Sequence, residues 1–113
     1  LLDDEAQIRE SMRLVMEEWG IRLHAVESVR GAEAVLRDHR VDFILSDLRL
    51  REGESGLDVL TLLKALRLNI PMALITGDTA PDRIVLARQA GVPLHYKPVS
   101  ASTLLGLLKS AVS

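Results

Sequence analysis

Short, nearly continuous apolar runs alternate along this chain with stretches whose apolar residues return every three or four positions. The first kind suits strands buried in a parallel sheet, and the second suits helices with one covered face. Leu1-Leu2 run into the acidic turn Asp3-Asp4-Glu5, after which Ile8, Met12, Val15, Met16 and Trp19 fall at helical spacing. Gly20 is placed to close that helix in the left-handed conformation. Ile21 to Val26 alternate apolar and polar residues, as a strand covered on one face does. A short helix is predicted from about Gly31 to His39, with Ala32, Val35 and Leu36 on one side. Val41 to Leu45 read as a buried strand that stops at Ser46-Asp47. A polar loop, Arg49 to Ser55, then leads into a helix from Gly56 to about Leu68. Pro71 to Ile75 form the next strand, ending at Thr76-Gly77-Asp78. A helix starting at Ala80 or Pro81 stops at Gly91, Val92 to Tyr96 form a last strand, and a Leu-rich helix runs from Ser100 to about Val112.

Strand and helix alternate throughout, and each connection has room for one crossover helix. The pattern predicts an α/β domain with a parallel sheet and helices on both of its faces. At 113 residues the chain allows one such domain, residues 1–113, with no repeat or linker. Hydrophobic residues make up 48% and charged residues 27%, which suits a folded core and not a disordered tail. Without cysteine there is no disulfide, no thiolate metal site and no cysteine nucleophile. Fourteen basic against sixteen acidic side chains give a net charge of −2, which argues against direct contact with nucleic acid. No apolar run approaches the roughly 18 residues of a membrane span, so no membrane contact is expected of this segment, which reads as soluble. The chain does not begin with Met, and its first strand reads as incomplete, so a longer natural protein is expected.

In an open parallel sheet, ligands bind at the carboxyl ends of the strands. Those ends carry Asp3 and Asp4, then Asp47, then Thr76, then Lys97. Taken singly, each has an ordinary explanation as a cap, a turn former or a solvated side chain. Together they bring three carboxylates, a hydroxyl and an ammonium to one rim. Clustered carboxylates repel one another unless a cation intervenes. Their hard oxygens suit Mg²⁺, and such a cation beside a free carboxylate oxygen is equipment for phosphoryl transfer. Asp47, at the end of the central buried strand, is the best placed nucleophile and would form an aspartyl-phosphate. Lys97 and Thr76 would supply an ammonium and a hydroxyl to the phosphoryl oxygens.

The segments Leu2-Asp3-Asp4-Glu5, Phe43-Ile44-Leu45-Ser46-Asp47, Ile75-Thr76-Gly77-Asp78 and Lys97-Pro98-Val99 resemble, in order and interval, the receiver domain of two-component response regulators. The resemblance implies a flavodoxin-like, doubly wound sheet of five parallel strands in the order 2-1-3-4-5. It implies that Asp47 accepts a phosphoryl group from a phosphohistidine on a histidine kinase domain, which then switches the domain's conformation and output. It also implies that Mg²⁺ is held by Asp4 directly, by Asp3 mostly through water, by Asp47 and by the backbone carbonyl of Arg49. Lys97 would pair with the phosphoryl group, Thr76 would move toward it, and the Lys97–Pro98 bond would be cis. The loop Arg49 to Leu57 and the stretch Leu74 to Asp82 look most like receivers fused behind bacterial hybrid sensor histidine kinases. The kinase partner would then belong to the same chain, the location would be cytoplasmic, and the last two helices would offer a homodimer surface.

The sequence departs from the family pattern in places. Leu94 stands where an aromatic residue often follows the threonine's movement; Tyr96 shares its face and either takes that role or only packs. The loop after Asp47 has Leu50-Arg51 where Met-Pro is common, and it reaches Gly56 nine residues on, one more than usual. Arg49 and Asp78 either pair across the mouth and slow hydrolysis of the acyl phosphate or stand as independent solvated charges. His24 and His39 look isolated. Leu104, Leu105, Leu107 and Leu108 make an apolar arc wider than one core contact needs, which is either a partner surface or simple burial. Two rival functions remain. A small Asp-nucleophile phosphohydrolase would want an Asp where Arg49 stands, and a receiver-like interaction domain without phosphorylation would normally lack one of the five residues.

Overall fold

The computed structural model describes residues 1–77 and 81–112, with the backbone alone at 51, 81–83, 111 and 112. Asp78, half of the expected pair with Arg49, lies outside the described residues. Elements follow the alternation read from the sequence: α1 (Ala6–Glu18), α2 (Val29–Asp38), β1 (Ile44–Asp47), a 3₁₀ turn (Arg51–Gly53), α3 (Gly56–Ala65), β2 (Met72–Thr76), α4 (Pro81–Gln89), β3 (Leu94–Tyr96) and α5 (Ala101–Val112).

The three strands are parallel, in the order β1-β2-β3, with Leu45 opposite Ala73 and Thr76 opposite Tyr96. Five strands were expected. Beyond β1 the sheet continues only as single parallel bridges, Leu2 with Ser46 and Leu2 with Val26. Leu2 N–H donates to the Leu45 carbonyl at 2.9 Å, and Asp3 N–H donates to the Val26 carbonyl at 3.0 Å. Two residues before the acidic turn supply one rung on each side. Ile21 to Ala25 therefore keep a strand's alternation without a ladder.

Local chemistry explains the helix ends. The Ser28 hydroxyl accepts the Gly31 N–H at 3.1 Å at the start of α2. Ser55 and Asp58 form a reciprocal capping box at the start of α3, which satisfies two orphan donors. Gly20 and Gly91, with φ of 71° and 72°, close α1 and α4 in the left-handed region. α3 stops short of the expected Leu68 because the chain turns left-handed at Arg67, φ 57°.

Successive strand residues feed two cores, as the period of two requires. Ile44, Met72 and Leu74 pack with Ala32 of α2, Val59 and Leu63 of α3 and Ala87 of α4. Leu45, Ala73 and Ile75 pack on the opposite face with Met16 of α1 and Leu104 of α5. Helices thus cover both faces, and every strand points its carboxyl end at the same rim. Gly56 sits directly beneath that rim. A Cβ there would run into the Leu74 side chain and lie 2.8 Å from the Asp47 carbonyl oxygen.

Trp19 packs against the α1–α5 core, as the helical stripe predicts. Leu105, Leu107 and Leu108 are half-buried, and Leu107 and Leu108 pack against the core around Met16 and Leu104. Among the described residues the exposed large apolar side chains are Leu14, Leu68, Val85, Leu86 and Tyr96. Among the described residues no helix is long and apolar enough to cross a membrane. His24 and His39 are not isolated, because the end of α2 brings their rings to 4.4 Å between centroids.

Candidate active site

Asp47 is the last residue of β1, Thr76 the last of β2, and Lys97 the first residue after β3. Asp3 and Asp4 follow the bridging residue Leu2. All five residues singled out from the sequence stand on one rim. The Lys97 ammonium donates to Asp47 Oδ2 at 2.9 Å and to Asp3 Oδ2 at 3.3 Å, joining residues fifty and ninety-four positions away. Carboxylate oxygens of Asp3, Asp4 and Asp47 all lie within 4.8 Å of one another. A cavity of about 300 Å³ opens above them, lined by Asp4, Asp47, Arg49, Thr76 and Lys97 among others. A larger cavity of about 600 Å³ has a mostly apolar lining that includes Met16, Ile21, Phe43 and Leu104, and none of the five rim residues lines it. The chemistry belongs to the smaller one.

Backbone contacts hold the rim in shape. Asp47 N–H donates to the Leu2 carbonyl at 2.8 Å, and Lys97 N–H donates to the Thr76 carbonyl at 2.8 Å, on the two sides of the site. Asp3 is wholly buried. Its Oδ1 accepts the Glu5 N–H at 2.9 Å, so this carboxylate is committed to the protein and to Lys97. Asp4 is half-exposed and lines the cavity. Asp47 Oδ1 accepts the Arg49 N–H at 3.4 Å, while Oδ2 faces Lys97.

Burial raises the Asp47 carboxyl above the ordinary Asp value, and the negative charge of Asp3 adds to that. Together they outweigh the lowering exerted by Lys97 and the Arg49 N–H. For Lys97, burial acts to lower the ammonium's affinity for its proton, but the contacts with Asp47 and Asp3 prevail and raise it. The ammonium is therefore held charged beside an acidic set that exceeds it in number. Three hard-oxygen donors with one open side fit Mg²⁺, which takes one or two carboxylates and keeps positions for water and phosphate.

The structure adds residues that the sequence pattern did not single out. Arg9 of α1 donates from its guanidinium to the Asp3 carbonyl at 2.8 Å and reaches Glu27 at 4.0 Å. It ties the acidic turn to the approach of α2. Glu5 lines the mouth of the cavity. The Glu5–Arg9 spacing of four was the available signal, but it does not say that the arginine turns to a backbone oxygen. Tyr96 is 49% exposed, whereas Leu94 packs into the core on the α2–α3–α4 side. The Lys97–Pro98 bond is cis.

A parallel α/β sheet with an acidic cluster and a lysine at its strand ends is the arrangement that the receiver resemblance implied. Residues 1–109 match the response regulator receiver domain, and the chain belongs to that family. It is 31% identical over 115 residues to the phosphate regulon transcriptional regulatory protein PhoB of Pseudomonas aeruginosa, covering 99% of this chain and 50% of that protein. It is 30% identical over 114 residues to the transcriptional regulatory protein FixJ of Rhizobium meliloti, covering 98% of this chain and 54% of that one. Among solved structures, a response regulator receiver protein from Pseudomonas putida superposes with a TM-score of 0.82 at 28% identity, covering 96% of this chain and 92% of that one. The chain thus spans about half the length of the two regulators.

Proposed function

We propose that this domain is a phosphorylation switch. Asp47 takes a phosphoryl group from a phosphohistidine of a histidine kinase, and the acyl phosphate so formed changes the domain's conformation and output. The observation that carries the reading is the Lys97 ammonium bridging Asp47 and Asp3 while Asp4 completes the carboxylate set at the strand ends. In the transfer, an Asp47 carboxylate oxygen forms a bond to phosphorus as the phosphorus–nitrogen bond of the donor breaks. The electron pair of that bond returns to the imidazole. The Lys97 ammonium leaves its contact with Asp47 to pair with a phosphoryl oxygen, and the Thr76 hydroxyl donates to another. Asp4, Asp47 and the Arg49 carbonyl would hold Mg²⁺, with Asp3 acting through water. The ion would supply neutralisation of charge on the transferred group.

Five parallel strands in the order 2-1-3-4-5 are proposed for the sheet, supported by the two bridges of Leu2 to Val26 and Ser46. Residues 1–113 are read as one receiver domain. A hybrid histidine kinase as the parent protein rests on the loop Arg49 to Leu57 and the stretch Leu74 to Asp82; the regulators named above do not carry it further. A cytoplasmic location follows from the same reading. A homodimer surface on α4 and α5 draws support from exposed Val85 and Leu86.

The test is incubation with Mg²⁺ and a small acyl-phosphate donor, followed by intact mass. One added phosphoryl group in the parent and none in Asp47→Asn is the expected result. Rapid turnover of a phosphoester without an adduct would assign a hydrolase, and no reaction at all would leave an interaction domain.

A further inference from the structure

We propose that Glu54 is a positioning residue that clamps the loop carrying Arg49 to the start of α2. The loop after Asp47 folds back on itself as a small hairpin. Arg49 bridges Ser55 in antiparallel fashion, Leu50 N–H donates to the Glu54 carbonyl at 2.9 Å, and Gly56 N–H donates to the Leu48 carbonyl at 3.0 Å. Glu52 and Gly53, with φ of 59° and 76°, make its left-handed tip. Leu50 anchors one arm in the core at 4% exposure. The other arm is held by Glu54, whose Oε1 accepts the Val29 N–H at 3.2 Å.

That contact meets a need at both ends. α2 has no acidic residue in its own first turn, and Ser28 satisfies only the Gly31 N–H. A carboxylate from elsewhere in the chain therefore supplies the negative charge that a helix start favours. In return, the hairpin gains a fixed point outside itself. Arg49 lies between this clamp and Asp47, to which its N–H donates. The carbonyl assigned above to the cation is thus oriented by Glu54 through two short strands, as a supporting partner orients a metal ligand. The role rests on the function proposed above for the metal, but the clamp itself does not.

The experiment compares the parent with Glu54→Ala and Glu54→Gln by Mg²⁺ titration calorimetry and by hydrogen exchange at the Leu50 and Val29 amides. In Glu54→Ala, exchange at both amides should rise roughly fivefold, the worth of one capping hydrogen bond. Mg²⁺ affinity should fall about tenfold, the lower end for a lost supporting partner. Glu54→Gln keeps an acceptor oxygen and should stay within about twofold of the parent in Mg²⁺ affinity. Faster exchange at Val29 alone, with Leu50 and Mg²⁺ affinity unchanged, would reduce Glu54 to a helix cap and overturn the proposal. A parent that binds Mg²⁺ while Glu54→Ala binds it equally well overturns the positioning role alone. A parent that binds no Mg²⁺ overturns that role together with the metal reading of the site, and the exchange data still decide whether the clamp exists.

Discussion

On the outer faces of α1 and α2, Arg13 meets Glu10 at 2.6 Å and Glu17 at 3.1 Å, and Arg37 meets Glu33 at 2.9 Å, all with well-exposed side chains. At the carboxyl rim of the sheet, Lys97 meets Asp47 at 2.9 Å and Asp3 at 3.3 Å, with the two carboxylates 9% and 0% exposed. Distance does not separate the two sets; surroundings do. Exposed pairs gain a few tenths of a kcal/mol before salt screens them. The rim pair is largely buried, with the Asp4 carboxylate close by and Arg49 lining the same cavity. Breaking such a pair exposes a desolvation cost that the surface pairs never incurred. Burial raises the Asp47 carboxyl, so its ionised form is held there against a desolvation cost that its contact with Lys97 only partly offsets. Chains keep such arrangements where they have work to do.

The largest effect should come from Asp47→Asn, which removes the proposed acceptor oxygen's charge. Phosphoryl uptake measured by intact mass should fall below detection. Without Mg²⁺ the variant should melt no lower than the parent, because one of the three clustered negative charges is gone while an acceptor for Lys97 remains. A lower melting temperature would show that the Asp47–Lys97 pair stabilises the fold outright, which would undo the contrast between the two sets.

Lys97→Ala should be the most damaging change to stability. It leaves Asp3 and Asp47 without their cation, and urea denaturation in the absence of Mg²⁺ should lose about 3 kcal/mol. That is the low end for a buried pair, since Lys97 keeps 21% of its side chain in water. Mg²⁺ should return part of the loss by taking over the neutralisation. For the parent, Mg²⁺ at 100 times its Kd should add about 2.7 kcal/mol, and it should add far less to Asp47→Asn. Equal stabilisation of parent and variant would place the ion elsewhere.

The contrast between rim and surface was partly legible in the sequence. Asp3, Asp4, Asp47, Thr76 and Lys97 could be placed together because each ends an apolar run, and parallel strands send all such ends to one side. Periodicity also placed α1 and its closing Gly20. What it missed depends on tertiary contact. Arg9 and Glu54 look like solvated charges on any helical wheel or loop, because nothing local says that one seeks the Asp3 carbonyl and the other the start of α2. The hairpin after Asp47 was read only as a loop one residue longer than usual, because the alternation of Leu48, Arg49 and Leu50 on its first arm has no apolar counterpart in Glu54 and Ser55 on its second. Ile21 to Val26 show the reverse case, in which a clear alternation meets only one rung of partner strand.

The smallest expected effect lies at the other end of the comparison. Arg37→Ala removes an exposed pair with Glu33, spaced i, i+4 on α2. Its cost should be about 0.3–0.5 kcal/mol at low salt. In 1 M salt the Debye length falls to about 3 Å, and the difference from the parent should vanish. Lys97→Ala should behave otherwise, because salt reaches a largely buried contact poorly. Its loss in Mg²⁺-free urea denaturation should persist in 1 M NaCl. If both variants lost their effect equally in salt, the rim would be as solvated as the helix faces. A carboxylate cluster open to water in that way would have no reason to raise the Asp47 carboxyl by burial.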